Sequence, residues 1–161
     1  MNIPDHDATL SFSSPVGVIN LYASDNNVVY LTMGGEAVKA IGKASVLTEA
    51  RDQLKAYFAG KSKTLKFAVK LDGTDFQKAV WKQIAKLPYG KTTTYADIAA
   101  AIGNPAAVRA VGGAVGANPV PLIVGCHRVL GASRKITGYS GGDGIPTKKW
   151  LLAHEAIEYK D

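Results

Sequence analysis

The spacing of apolar residues changes near residue 73, and this change limits the folds open to the chain. Before it, apolar and polar residues alternate through TLSFSS, GVINLYA and NVVYLTM, all within residues 9–33, which is typical of strands joined by turns at SSPVG and SDNN. A helix is predicted next, from about Ser45 to Ala59, and LKFAVKL (65–71) predicts a further strand. Residues 1–73 are therefore expected to form a small α/β domain.

After residue 73 the apolar residues recur at the spacing of helices. Thr74 and Gln77 fit a capping box in front of an apolar stripe made of Phe76, Val80, Trp81, Ile84 and Leu87. A last helix is predicted from about Thr147, over TKKWLLAHEAIEYK. The predicted fold class is thus α+β, with residues 74–161 forming a mostly helical second domain.

Two short helices are predicted between the helix that begins at Thr74 and the last helix. Thr94 and Asp97 fit a second capping box, which opens a helix that ends at Gly103. Asn104–Pro105 reads as an N-cap followed by proline at the first helical position of another helix, which ends near Gly116. Two short helices joined by GNP predict a helix-turn-helix.

Composition narrows the classes of function. The 161 residues include one cysteine, so an internal disulfide is excluded and a reducing compartment is expected. The three histidines, His6, His127 and His154, are widely spaced, which predicts no metal site. The start, MNIPDHDATL, resembles no signal peptide, so we expect a cytoplasmic protein away from membranes. The net charge of +6 permits nucleic-acid binding but does not require it.

The second helix of the predicted helix-turn-helix, PAAVRAVGGAVG, is poorly suited to reading base edges. It offers alanine, valine and glycine, with Arg109 as its one long polar side chain. Small residues allow a helix to approach DNA closely, and a single arginine could then enter the duplex as a base is extruded. Packing of these residues on a neighbouring helix, with Arg109 in solvent, is the alternative.

The only cysteine lies in PVPLIVGCHRVL, Pro119 to Leu130. VPLIV predicts a short buried strand, in which Cys126 and His127 would point to opposite faces. Cooperation between them requires a bend, which Gly125 permits. His127 could then take the thiol proton, with Glu155 as the group that orients the histidine. A buried structural cysteine remains the alternative.

Four segments of the chain resemble one protein family. They are TTTYADIAAAIGNPAAVRAVGGAVGANP, NPVPLIVGCHRVL, ITGYSGG and WLLAHE. In this order they resemble the O6-alkylguanine-DNA alkyltransferase family (methylated-DNA–protein-cysteine methyltransferase) from about Thr74 to Ala156. The N-terminal half resembles it only in its strand-then-helix layout and in AYFAG. The resemblance implies a ribonuclease-H-like first domain and a winged-helix-like second domain.

The function that the resemblance implies is direct reversal of DNA damage. An O6-alkylated guanine in double-stranded DNA, and as an open extension O4-alkylated thymine, is flipped out on the minor-groove side, and its alkyl group passes to Cys126. The product is a thioether that the site cannot hydrolyse, so each molecule reacts once. The resemblance implies no cofactor and no metal. We expect a monomer, and clustering on DNA stays open.

The resemblance also implies roles for residues around the cysteine. His127 is the water-linked base, Glu155 polarises that water and the histidine, and Asn118 braces the turn. Tyr95 rotates the nucleotide and protonates the departing guanine at N3. The remaining expected contacts are Tyr139, Ser140 and Val129 for the base, and Arg109, Thr94, Ala107 and Ala110 for DNA. Arg128 is expected in a structural ion pair, and Lys148 and Lys149 in solvent.

One departure from the family pattern is Gly125, where the family usually has proline. Glycine removes wall volume and frees the backbone, so we predict a roomier and less preorganised pocket. The alternative to transfer is a module that binds alkylated DNA with weak or no transfer because of Gly125. A transcription factor is a further alternative, which the alanine-rich second helix disfavours. A cysteine hydrolase is another, but it would leave Tyr95 and Arg109 without a purpose.

Overall fold

The computed structural model describes residues 3–161, and the chain forms two compact units that divide between Leu71 and Asp72. In the first unit, β1 (Ala8–Ser14), β2 (Gly17–Ser24) and β3 (Asn27–Met33) form an antiparallel sheet in that order. The helix α1 (Ser45–Phe58) buries one side, with Val46, Leu47, Ala50, Leu54 and Tyr57. The three strands, which the alternation predicted, and the helix predicted from about Ser45 to Ala59 are confirmed.

The strand predicted over residues 65–71 is wrong. Only Val69 pairs with the sheet, through a single parallel bridge to Val28. Gln53 on α1 takes the backbone groups of Lys66 instead, because its amide nitrogen donates to the Lys66 carbonyl (2.8 Å) and its oxygen accepts from the Lys66 N–H (2.6 Å). A side-chain clamp therefore replaces the start of a strand ladder.

The second unit is mostly helical, as predicted. Its elements are α2 (Asp75–Ala85), β4 (Thr93–Thr94), α3 (Tyr95–Ala101), α4 (Val108–Gly116), a 3₁₀ turn (Cys126–Arg128), β5 (Val129–Leu130), a second 3₁₀ turn (Ala132–Arg134) and α5 (Ile145–His154). The two short strands pair in parallel, with Thr93 opposite Val129. No helix within residues 3–161 is long and apolar enough to cross a membrane.

The capping box at the start of α2 is confirmed, with Thr74 and Gln77 bonded reciprocally. Trp81 on this helix is buried, and its indole N–H donates to the Ala114 carbonyl of α4 at 2.8 Å. Helices α3 and α4 form the helix-turn-helix, and α2 packs against both of them. This arrangement leaves the start of α4 exposed.

Helix α4 begins later than predicted, at Val108 rather than at Pro105. The Ala107 N–H donates to the Asn104 carbonyl at 3.0 Å, which closes a turn before the helix. Ala107 itself has φ −90° and ψ 28°, outside the helical region. Asn104 thus begins this turn rather than capping a helix.

The buried strand predicted over VPLIV is also wrong, because these residues form a tight turn. The Val124 N–H donates to the Val120 carbonyl at 3.0 Å, and Leu122 has a φ of +78°. A leucine rarely adopts this left-handed conformation, so sequence pattern alone favours the strand. The turn is what brings the next residues, Gly125 and Cys126, back into the unit.

Helix α5 ends at His154, about six residues before its predicted end. Ala156 has a φ of +56°, and its N–H donates to the Ala153 carbonyl (3.0 Å). The Ile157 N–H donates to the Leu152 carbonyl (2.9 Å), and both side chains are buried in one cluster with Leu130 and Ile136. These bonds form a Schellman motif, which stops the helix and fixes the position of Glu155.

We predict that Ala156→Gly stabilises the protein. An alanine in the left-handed region costs about 1–2 kcal/mol, which glycine avoids, against about 0.5–1 kcal/mol of added chain entropy. The free energy of unfolding, measured by urea denaturation, should therefore rise. Ala153→Gly, inside α5, is the matched control and should lower it by about 0.5–1 kcal/mol. A loss of stability in both variants would contradict the assigned turn.

Candidate active site

Cys126 lies at the start of a 3₁₀ turn and is 2% exposed. Its N–H donates to the Val124 carbonyl at 2.8 Å, and the Arg128 N–H donates to the Gly125 carbonyl at 2.9 Å. The chain therefore bends at Gly125, as cooperation between Cys126 and its neighbour would require. The cysteine forms part of the wall of a mainly apolar cavity of about 690 Å³.

Asn118 braces the turn that precedes the cysteine. Its side-chain NH₂ donates to the Val124 carbonyl at 2.8 Å, and its side-chain oxygen accepts from the Val120 N–H at 3.0 Å. Both bonds are buried, so neither competes with solvent. One amide thus holds the two ends of the turn that precedes Cys126.

Behind the cysteine, the buried carboxylate of Glu155 accepts hydrogen bonds from backbone and side-chain donors. Oε1 accepts from the Gly90 N–H (2.9 Å) and from Arg128 Nε (2.8 Å). Oε2 accepts from Arg128 Nη2 (3.1 Å) and from His127 Nε2 (2.5 Å). Arg128 also donates to the Leu87 carbonyl at 3.2 Å, so the expected ion pair of Arg128 is a two-pronged contact with Glu155.

The contact with Glu155 determines which ring nitrogen of His127 carries the hydrogen. Burial lowers the pKa of His127 below its usual 6.5, although Glu155 pulls the other way, so the imidazole is neutral at pH 7. A carboxylate only accepts, so Nε2 holds the hydrogen and Nδ1 has a free lone pair. Nδ1 is buried and has no hydrogen-bond partner among residues 3–161. His127 therefore presents a proton acceptor that is not bonded directly to Cys126.

The side chains that change the pKa of the Cys126 thiol are Asn118, Tyr139 and Lys148. Burial raises the pKa of Cys126, while hydrogen bonds from Asn118 and Tyr139 and the positive charge of Lys148 lower it. Burial is the largest of these effects, so the pKa stays above its usual value and Cys126 is a thiol that needs help to ionise. Sequence reasoning assigned this help to His127 and Glu155 and did not include Lys148.

Lys148 was expected in solvent, and this expectation is wrong. Its side chain is 0% exposed, Nζ donates to the Val129 carbonyl at 2.7 Å, and burial lowers its pKa to about 8. The neighbouring Lys149 is 42% exposed and pairs with Asp161 at 2.8 Å. The missed signal is helical spacing, since Lys148 lies three and four positions before the buried Leu151 and Leu152.

The cavity brings together several of the residues predicted to contact the base, and Thr94, which was predicted to contact DNA. Tyr95 and Thr94 contribute from the start of α3, and Tyr139 and Ser140 from the loop before α5. The Ser140 hydroxyl donates to the Gly116 carbonyl at 3.1 Å, which ties this loop to the end of α4. Sequence reasoning missed further lining residues, namely Ala96, Val108, Gly112, Val115, Gly116, Gly131, Ala132, Thr137 and Gly138.

Other predicted residues lie outside the cavity wall. Val129 is buried and bonded to Lys148, and it does not line the cavity. Arg109 and Ala110 are exposed at the start of α4, with Ala107 half-buried just before them. These three form an exposed face beside the cavity, to which Val108 contributes from the cavity wall. Thr94, in contrast, lines the cavity and also serves as the N-cap of α3, since its hydroxyl accepts from the Asp97 N–H at 3.1 Å.

Gly125 does not enlarge the cavity, so that prediction is wrong. A Cβ at this position would meet the Arg128 side chain, 3.0 Å from Nη1 and 3.2 Å from Cζ, and Gly125 is not part of the lining. Its φ of −73° is one that proline also adopts. The missing side chain instead makes room for the guanidinium that holds Glu155.

Both units of the chain match one protein family. Residues 75–157 match the family "6-O-methylguanine DNA methyltransferase, DNA binding domain", and residues 10–72 match its "ribonuclease-like domain". A methylated-DNA–protein-cysteine methyltransferase of Methanosarcina acetivorans is 41% identical over 150 residues, which cover 89% of this chain and 95% of that protein. The constitutive enzyme of that name from Bacillus subtilis is 48% identical over 115 residues, covering 71% of this chain and 69% of the relative.

Solved structures give the same result. The crystal structure of Mycobacterium tuberculosis OGT in complex with DNA has a TM-score of 0.81 and 44% identity, with 90% of both chains covered. The O6-methylguanine methyltransferase structure from the same organism has a TM-score of 0.81 and 40% identity, with 95% of both covered. Fold and site define a two-domain protein with a cysteine at a helix-turn-helix cavity. The chain belongs to the 6-O-methylguanine DNA methyltransferase family, as the cysteine segment predicted.

We predict that stability falls as the pH falls from about 7 to about 5.5. The unfolded chain protonates His127 near its usual pKa of 6.5, while burial lowers that pKa in the folded protein. The unfolded state therefore binds more protons, and the slope contributed is at most about 1.4 kcal/mol per pH unit. Urea denaturation across this range measures it. The His127→Gln variant should have a shallower slope, and equal slopes would refute the assignment.

We predict that Lys148→Met slows the reaction of Cys126 with iodoacetamide about three- to tenfold at pH 7.5, because loss of the ammonium leaves less thiolate. Peptide mass analysis over time measures the rate. Lys149→Met is the matched control and should react like the unmodified sequence, since Lys149 is partly exposed and pairs with Asp161. Equal rates for the two variants would remove Lys148 from the thiol's environment.

Proposed function

We propose that this chain repairs DNA by moving the alkyl group of an O6-alkylated guanine onto the sulfur of Cys126. The observation that carries the proposal is the position of the chain's only cysteine in the wall of an apolar cavity beside the exposed start of α4. The names of the relatives support it, since they are methylated-DNA–protein-cysteine methyltransferases. A thiol in such a position can attack a group that the cavity holds against it.

In the proposed reaction, the Cys126 thiolate displaces the alkyl group in one step. A sulfur–carbon bond forms as the carbon–O6 bond breaks, and the electron pair of the broken bond passes to guanine. His127 Nδ1 receives the thiol proton through a bridging water, and Glu155 stabilises the resulting imidazolium. Tyr95 donates a proton to N3 of the departing base. The thioether product stays on the protein, so no cofactor or metal is required and one molecule repairs one lesion.

The proposed substrate pocket is the cavity itself. Tyr139 packs against the flipped base, and the Ser140 backbone binds O6. Asn118 holds the cysteine turn in place, and Lys148 favours the thiolate by its charge. Val129 is proposed to contribute through its backbone only, because its side chain is buried away from the cavity. O6-methylated guanine is the minimal substrate, and O4-alkylated thymine is proposed as a second one.

Double-stranded DNA is the proposed partner, bound from the minor groove. The start of α4 offers small residues, Ala107 and Ala110, around the exposed Arg109, so the backbone can approach the duplex while the arginine fills the gap of the extruded base. Thr94 lies at the rim of the cavity. The net charge of +6 supports affinity that weakens with salt. The solved DNA complex of a 44% identical protein supports the same partner.

We further propose that residues 74–161 carry all of the chemistry, that residues 1–73 form a separate domain, and that the protein acts in the cytoplasm as a monomer. The alternative function, binding of alkylated DNA without transfer, rested on Gly125. Because Gly125 faces Arg128 rather than the cavity, that reason is lost.

Intact-protein mass after incubation with a duplex that holds one O6-methylguanine tests the proposal. We expect the mass of one methyl group on Cys126, a final yield of one methyl per protein, and no uptake by Cys126→Ser. The Cys126→Ser variant should still bind the duplex, which separates loss of chemistry from loss of fold. Binding by the unmodified sequence with no change in mass would establish a damage-binding module instead.

A further inference from the structure

Thr137 was not singled out by sequence, yet it contacts a proposed catalytic group. Its hydroxyl oxygen lies 3.1 Å from the hydroxyl oxygen of Tyr95, and either atom can be the donor. Both residues line the cavity that Cys126 faces. The pair joins the first residue of α3 to the loop that follows Ile136, across one side of the cavity.

The rotamer of Thr137 is restricted by packing. A Cβ built on Gly131 would lie only 2.9 Å from Cγ2 of Thr137, so the methyl group sits close against the Gly131 backbone. Ile136, the preceding residue, is buried in the cluster with Leu130 and Leu152. With its methyl group against Gly131, Thr137 has little freedom to turn its hydroxyl away from Tyr95.

The direction of this hydrogen bond decides what Tyr95 can do. If Tyr95 donates to Thr137, the phenol hydrogen is engaged and unavailable to a base in the cavity. If Thr137 donates to Tyr95, the phenol hydrogen is free to point into the cavity. We propose that Thr137 is the positioning residue of this site, donating its hydroxyl hydrogen to Tyr95 so that the phenol proton is presented to the bound base. This inference rests on the proposed function.

The same bond also serves the transfer step. As the carbon–O6 bond breaks, the guanine takes the electron pair and accepts the Tyr95 proton at N3, which leaves negative charge on the phenol oxygen. A hydrogen bond to an ionised acceptor is stronger than one to a neutral acceptor. The Thr137 donation therefore strengthens as the reaction proceeds, and it favours the transition state over the bound substrate.

The test compares single-turnover rate constants of methyl transfer from an O6-methylguanine duplex. Thr137→Val removes the hydroxyl with little change of shape, and we expect the rate constant to fall about tenfold. Thr137→Ser keeps the hydroxyl and should recover most of the rate. In a Tyr95→Phe background, Thr137→Val should cause no further loss, because the group that it positions is gone.

Thr64→Val, the same change at an exposed position of the first unit, is the matched control and should react like the unmodified sequence. If Thr137→Val does not fold, Thr137→Ala removes the same hydroxyl. An unchanged rate for the hydroxyl-free variant, an equal loss with and without the Tyr95 hydroxyl, or no recovery with serine would each overturn the inference. If the unmodified sequence takes up no methyl group, the proposed function fails, and this inference fails with it.

Discussion

The buried carboxylate of Glu155 is the interaction on which the site depends. An unpaired charge in a protein interior is very unfavourable, so a buried carboxylate is tolerated only when donors surround it. Here the donors come from separate parts of the chain, namely the Gly90 backbone after α2 and the side chains of His127 and Arg128 in the cysteine turn. Glu155 itself is fixed by the turn at Ala156 that ends α5. The charge therefore joins three segments that the sequence keeps far apart, and it sets the orientation of the histidine next to the cysteine.

Much of this molecule could be predicted from local signals. The strands over residues 8–33 follow from simple alternation, and the start of α2 follows from Thr74 and its partner three residues on. Both signals depend on neighbours within a few residues, where pattern and structure are tied directly. The family was predicted from resemblance, because four segments between about Thr74 and Ala156 follow the family pattern in order. The alkyl-transfer chemistry was what that resemblance implied.

The features that sequence could not give depend on distant partners or on rare backbone conformations. The clamp of Gln53 on Lys66 joins residues 13 positions apart and cancels a strand that alternation favours. Leu122 adopts a positive φ, a conformation that is rare for leucine and cannot be predicted from the sequence pattern. The predicted strand is therefore a turn. Gly125 was predicted to enlarge the cavity. The bend of the chain, which the sequence does not show, instead directs a Cβ at this position toward Arg128. Each error arose where tertiary contacts overrode a sound local preference.

Burial of two basic groups near the same thiol has opposite results, and the difference follows from their ordinary pKa values. Desolvation lowers the pKa of both His127 and Lys148. The imidazole starts at 6.5, so it becomes neutral at pH 7 and can accept a proton. The ammonium starts at 10.5 and falls to about 8, so it remains largely charged at the same pH. A thiol that must react as a thiolate needs one group of each kind, an acceptor for its proton and a cation for its charge. Lys148 stays a cation despite its burial because its ordinary pKa is high, whereas His127 is left as a neutral acceptor.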